Sequence, residues 1–152
     1  LSASPADALP IELRSPKKSA GQVVIIDDDR ELLKCISIVF EGQGFDVNAY
    51  LTSDEAYQFL RTNRPDIIIS DINLETSTMG GFAFYEKVRQ LDHLYDIPFI
   101  FLSGLHDEAI IQTGKELGAD DYITKPFDED SLVAAVKGKL RRYARLRLVS
   151  RN

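Results

Sequence analysis

From Gln22 onward the chain alternates between short runs of β-branched apolar residues and longer stretches with apolar residues every three or four positions. The first pattern predicts strands and the second amphipathic helices. Val23–Ile26 is the first strand, and it ends in Asp27-Asp28-Asp29. The following stretch places Leu32, Leu33, Ile36, Val39 and Phe40 on one helical face and stops at Gly42 and Gly44. Phe45 to Tyr50 alternates apolar and polar residues, as a strand with one less protected face does. Ser53 is the expected N-cap of a helix carrying Ala56, Phe59 and Leu60. Ile67-Ile68-Ile69, followed by Ser70-Asp71, predicts a strand buried on both faces. A loop from Ile72 to Gly81 then leads to a helix through Phe82, Tyr85, Val88 and Leu91. A fourth strand, Ile97 to Leu102, ends at Ser103-Gly104, and the helix after it closes near Gly118. Tyr122-Ile123-Thr124 forms a fifth strand before Lys125-Pro126, and Asp128 to Ser131 opens the last helix.

Five β–α units in about 120 residues imply an α/β domain with a parallel sheet covered by helices on both faces. Right-handed crossovers make a doubly wound arrangement the economical topology. Ligands of such sheets gather at the carboxyl ends of the strands. Those ends carry Asp27, Asp28 and Asp29 on strand one, Asp71 on strand three, Ser103 on strand four and Lys125 on strand five. Asp29 is expected to turn away as the helix start, which leaves Asp27, Asp28 and Asp71 in the cleft.

Carboxylates at ~4 Å repel by roughly 4 kcal/mol per pair at an effective dielectric of about 20, and Lys125 is one cation against three anions. A divalent cation answers that imbalance. The donors are all oxygens, which suits Mg²⁺ together with waters and a phosphoryl oxygen. In that setting the Asp71 carboxylate is a nucleophile towards phosphorus, with Lys125 and the Ser103 hydroxyl placed to balance charge. A carboxylate is already deprotonated at neutral pH, so no histidine base is needed.

Composition narrows the setting. At 152 residues, 44% hydrophobic and 28% charged, the chain is one globular domain with an adequate core, not a disordered or collagen-like polymer. No apolar run is long enough to span a bilayer, and the start lacks the layout of a signal peptide, so no membrane insertion is expected. A single cysteine, Cys35, excludes an intrachain disulfide framework and points to a reducing, cytoplasmic setting; its place near the apolar face of the first helix suggests packing. The net charge of −6 is unevenly distributed: +1 over residues 1–20, −14 over 21–136 and +7 over 137–152. Residues 1–20, with Pro5, Pro10 and Pro16, read as a flexible leader or linker, and the start at Leu1 fits either a fragment of something longer or a trimmed end without meaning.

VVIIDDD, PDIIISDIN, IPFIFLSG and GADDYITKPF, in that order and spacing, resemble the receiver domain of two-component response regulators over about residues 22–140. The resemblance implies a flavodoxin-like sheet with strand order 2-1-3-4-5 and a receiver domain spanning 21–140. It implies that Asp71 accepts a phosphoryl group from a histidine kinase or phosphotransfer protein. Asp28 and Asp71 would bind Mg²⁺ by side chain and Asn73 by its backbone carbonyl, with Asp27 holding a metal-bound water. Ser103 would be the switch hydroxyl, Lys125 its charged partner, and Tyr122 the aromatic switch; half-buried packing is the plainer role for Tyr122. The loop Leu74-Glu75-Thr76-Ser77-Thr78-Met79-Gly80-Gly81 departs from the family pattern, being two residues longer and lacking its proline.

Two rivals remain at this point. A haloacid-dehalogenase-type phosphatase also uses a strand-end Asp, a Ser or Thr, a Lys and Mg²⁺, but it needs a second Asp where this chain has Asn73. A receiver-like interaction domain without phosphorylation is the other. Residues 141–152 continue the last helix as a basic extension, with Val133, Val136, Leu140, Tyr143 and Leu146 in helical spacing. A linker to a fused output domain, or a homodimer through the fourth helix, fifth strand and fifth helix, fits that pattern. A solvated end is the plainer reading, and direct nucleic-acid binding is not expected. His93 and His106 are expected at the surface without metal partners, and Met79 as a local hydrophobic anchor.

Overall fold

The computed structural model of the chain describes residues 19–75, 77–104 and 108–150, the side chains of 109, 149 and 150 excepted. Nearly all of the expected leader, His106 and the last two residues of the basic extension lie outside the described residues.

Strands and helices alternate: β1 (Gln22–Ile26), α1 (Arg30–Gly42), β2 (Asp46–Tyr50), α2 (Ser53–Leu60), β3 (Ile67–Asp71), α3 (Gly81–Arg89), β4 (Phe99–Ser103), α4 (Glu108–Leu117), β5 (Asp121–Thr124) and α5 (Glu129–Ser150). The sheet has the order β2-β1-β3-β4-β5, and every pairing is parallel. The expected fold is therefore the observed one. The β-branched runs of β1 and β3 became inner strands because their side chains are buried on both faces, and β4 behaves likewise. β2 alternates because it is an edge, with one side partly open.

Each face of the sheet has its own core. Val24, Ile26, Ile68, Phe99 and Phe101 pack with residues of α2 and α3 and with the partly buried Ile110 and Leu117 of α4. Val23, Ile25, Ile67, Ile69, Ile100 and Leu102 pack with Leu33, Ile36 and Phe40 of α1 and Leu132, Val133 and Val136 of α5. Burying a Leu, Ile or Phe of this kind contributes about 1.5–3 kcal/mol, so the two layers fix the strand ends firmly.

Several local expectations change. The N-cap of α2 is Thr52, whose hydroxyl accepts from the Glu55 amide; Ser53 is the first helical residue and is fully buried. Cys35 is exposed rather than packed, because it sits about 200° around the helix from Leu33 at 100° per residue. His93 is partly buried, with a ring nitrogen 2.7 Å from the Leu60 carbonyl oxygen. Met79 packs against the α2–α3 core, as an anchor should. Among the described residues no helix is long and apolar enough to cross a membrane.

Candidate functional site

Parallel strands bring their carboxyl ends to one rim. Asp27 follows β1 directly; its amide donates to the Tyr50 carbonyl at 3.2 Å, which fixes its backbone beside β2. Asp29 caps α1 and accepts from the amides of Glu31 and Leu32, so it faces the helix and not the cleft, as expected. Asp71 ends β3 in register with Leu102 of β4, one residue before Ser103. Ser103 pairs with Thr124, and its carbonyl accepts from the Lys125 amide at 2.7 Å, tying the lysine to the end of β4. The Lys125–Pro126 peptide is cis.

Asp27 is fully buried, and Asp71 and Ser103 are only 6% and 2% exposed. Lys125 Nζ donates to Asp27 Oδ2 at 2.6 Å and to Asp71 Oδ2 at 2.9 Å. The remaining oxygens accept backbone amides: Asp27 Oδ1 from Asp29 at 2.9 Å, Asp71 Oδ1 from Asn73 at 3.0 Å. Burial pushes the Asp27 carboxyl above its ordinary pKa, against the hydrogen bonds from Lys125 and Asp29 that favour its charge. Burial also works against the Lys125 ammonium, but hydrogen bonds to Asp27 and Asp71 overcome it and hold the lysine above its usual value.

Asp27, Asp28 and Asp71 each offer an oxygen within 4.8 Å of the others. Three hard oxygen donors this close, balanced by one ammonium, fit a small divalent cation that prefers carboxylates and water, so the residues suit Mg²⁺ by donor chemistry.

Against this fold and site stands the sequence comparison: residues 23–137 match the family described as the response regulator receiver domain. The chain belongs to that family. Receiver domains are the phosphorylation-dependent signalling modules of two-component systems. Among solved structures, the receiver domain of a signal transduction histidine kinase from Syntrophus aciditrophicus is 31% identical, with 79% of this chain and 89% of that one covered and a TM-score of 0.70. The chemotaxis response regulator CheY4 of Vibrio cholerae is 28% identical, covering 76% of this chain and 95% of that one, with a TM-score of 0.71. NtrX from Brucella abortus, at 22% identity and a TM-score of 0.79, shares the fold; 86% of this chain is covered, which spans 29% of NtrX.

Within this receiver domain Asp27, Asp28, Asp71, Ser103 and Lys125 lie at one rim, with Asn73 exposed at its edge. Tyr122 sits on β5 with its ring 5.5 Å from that of Phe101. Among the described residues its buried hydroxyl has no hydrogen-bond partner, and burial pushes the phenol up to about 12. Space for that hydroxyl exists because residue 114 of α4 is glycine: a Cβ there would stand 0.8 Å from the Tyr122 oxygen. Sequence reasoning missed Gly114, since a glycine inside a helical pattern signals only lost propensity. It also missed Gly81, where a Cβ would lie 2.4 Å from the Asp71 carbonyl oxygen.

Proposed function

We propose that Asp71 is the phospho-acceptor of a Mg²⁺-dependent signalling switch, phosphorylated by a histidine kinase or phosphotransfer protein. The observation that carries this is the Asp71 carboxylate, nearly buried beside two further aspartates and held 2.9 Å from Lys125 Nζ. An Asp71 oxygen attacks phosphorus, the bond from phosphorus to the donor's leaving atom breaks, and the leaving group departs with the electron pair. The product is an acyl phosphate. Water attack on the same phosphorus later breaks the bond to Asp71 and restores the carboxylate, so turnover is confined to the protein's own phosphorylation and dephosphorylation. Asp28, Asp71 and the Asn73 backbone carbonyl would hold Mg²⁺, Asp27 through a water; the ion supplies charge neutralisation for the phosphoryl oxygens. Lys125 already lies on Asp71 and balances charge there, while the Ser103 hydroxyl moves onto the phosphoryl group and Tyr122 repacks with it.

This reading treats residues 21–140 as the receiver unit, residues 1–20 as leader and 141–152 as an extension towards a fused output domain. The neighbouring NtrX, of which this chain spans only 29%, is the precedent for a longer protein. The α4–β5–α5 face is the surface for transmitting the signal or pairing two copies, in a cytoplasmic setting.

The test is incubation with Mg²⁺ and acetyl phosphate, read by mass spectrometry as a single phosphoryl adduct. Asp71→Asn should abolish it, and removal of Mg²⁺ should suppress it. An adduct that persists in Asp71→Asn refutes the assignment.

A further inference from the structure

The loop that departs from the family pattern is tied down in the structure by a set of contacts of its own. Ser77 Oγ accepts the Ser53 amide at 2.9 Å, and Ser53 Oγ donates to the Met79 carbonyl at 2.7 Å. The Thr78 amide donates to Asp54 Oδ2 at 3.0 Å, and the Thr78 hydroxyl donates to Asp54 Oδ1. All four bonds join the first turn of α2 to three consecutive loop residues. Ser53 is fully buried and spends both its amide and its hydroxyl on the loop. Hydrogen bonds to Thr78 hold the Asp54 carboxyl below its usual pKa.

Both ends of this loop lie on the acceptor. At its start the Asn73 amide donates to Asp71 Oδ1 at 3.0 Å. At its close the Gly81 amide donates to the Ile72 carbonyl at 2.9 Å, and Gly81 touches the Asp71 carbonyl so closely that no Cβ fits. A long connection without its own secondary structure samples many conformations unless contacts remove that freedom. Here the side-chain hydrogen bonds come from α2, and they add to the buried Leu74 and to the bond from the Ser77 amide to the Leu74 carbonyl.

We propose that Asp54 and Ser53 are positioning residues for the phosphorylation site: by clamping residues 77–79 to α2 they fix the Asn73 backbone beside Asp71. The inference rests on the reading of Asp71 as phospho-acceptor and Asn73 as a backbone ligand, and it assigns the longer loop a role in preorganising that site.

Asp54→Ala and Thr78→Val each remove part of the clamp, and Thr78→Ser keeps its hydroxyl. Three quantities are read on the full chain: Mg²⁺ affinity by calorimetry, the half-life of the acetyl-phosphate adduct, and hydrogen exchange of the Thr78 and Met79 amides. Both disruptive variants should bind Mg²⁺ about three- to tenfold more weakly, a fraction of one charge-assisted hydrogen bond. Their adduct half-life should change in the same range and the loop amides should exchange faster, while Thr78→Ser stays near the unsubstituted chain. Mg²⁺ affinity and half-life within about twofold of the unsubstituted chain in both variants would overturn the proposal, even if exchange quickened, because the clamp would then be structural alone. Failure of the unsubstituted chain to label at Asp71 is a different result: it removes the reading beneath the proposal, whether or not the loop amides respond.

Discussion

Lys125 joins two carboxylates that the fold has taken out of water. Asp27 has no exposure and Asp71 very little, and the same ammonium lies 2.6 and 2.9 Å from them. Removing one member of a buried ion pair leaves the other charge without compensation, which costs more than the pair itself contributes. Lys125 is still 22% exposed, so the low end of that effect applies. Lys125→Met should therefore lower metal-free stability by about 3 kcal/mol. Added Mg²⁺ should narrow the gap, because carboxylates relieved of Lys125 bind the cation more tightly than carboxylates paired with it, and tighter binding to the folded state stabilises it more. Urea denaturation with and without Mg²⁺ checks both statements, and an equal loss in the two conditions would mean that Lys125 and the ion do not compete for the cluster. Most of this site could be read from residues at predicted strand ends. The distances could not, since they follow from a register that links residues 98 apart in sequence.

At the level of elements, the informative contact is between α4 and β5. Tyr122 points its hydroxyl at Gly114, in a notch that any other residue would fill. The buried phenol titrates near 12, pushed up first by burial and then by Tyr85, whereas the unfolded chain ionises it near 10. The contribution of Tyr122 to stability is thus unchanged below about pH 10 and falls as pH rises through the window up to about 12, where only the unfolded chain has lost the proton. Gly114→Ala should expel the ring, return its phenol towards 10 and shrink that window. Ultraviolet titration against a Tyr122→Phe control reads this directly, and a phenol that still titrates near 12 in Gly114→Ala would show that α4 yields instead. The notch was illegible in the sequence because it joins a helix interior to a strand eight residues away. The α2 cap failed for a related reason. Thr52 and Ser53 are chemically equivalent caps, and only the loop, by recruiting Ser53 to Met79 and Ser77, leaves the capping to Thr52. By contrast β1 and β3 were legible because inner parallel strands demand apolar residues on both faces, a signal that needs no partner to be recognised.

For the whole molecule, the question is where the domain ends. Residues 141–152 were expected to continue the last helix as a basic extension; α5 runs to Ser150 and lies on the body for part of that length. Leu140 packs on the α1–α5 core, and Tyr143 is partly buried. Together with Arg147 they form one wall of a groove of about 550 Å³ whose other side includes Gly21, Pro65 and Pro98. Lys139 reaches the Asp120 carbonyl and the Asp121 carboxylate, directly before Tyr122 on β5, and Arg147 lies 3.4 Å from Asp96, which also holds Arg64. The apolar stripe runs out only at Leu146, which is 58% exposed. A chain ending at Leu140 should consequently be less stable than one ending at Ser150. Half-burial of an aromatic contributes about 1 kcal/mol and an exposed ion pair less than that, so the loss should be about 1–2 kcal/mol. With a slope of about 1–3 kcal/mol per molar urea, the midpoint falls measurably while the slope changes little. Arg147→Ala alone should cost under about 0.5 kcal/mol and lose its effect in high salt, since both partners are screened. An unchanged midpoint on truncation would place the boundary at Leu140; the expected drop places it beyond Tyr143.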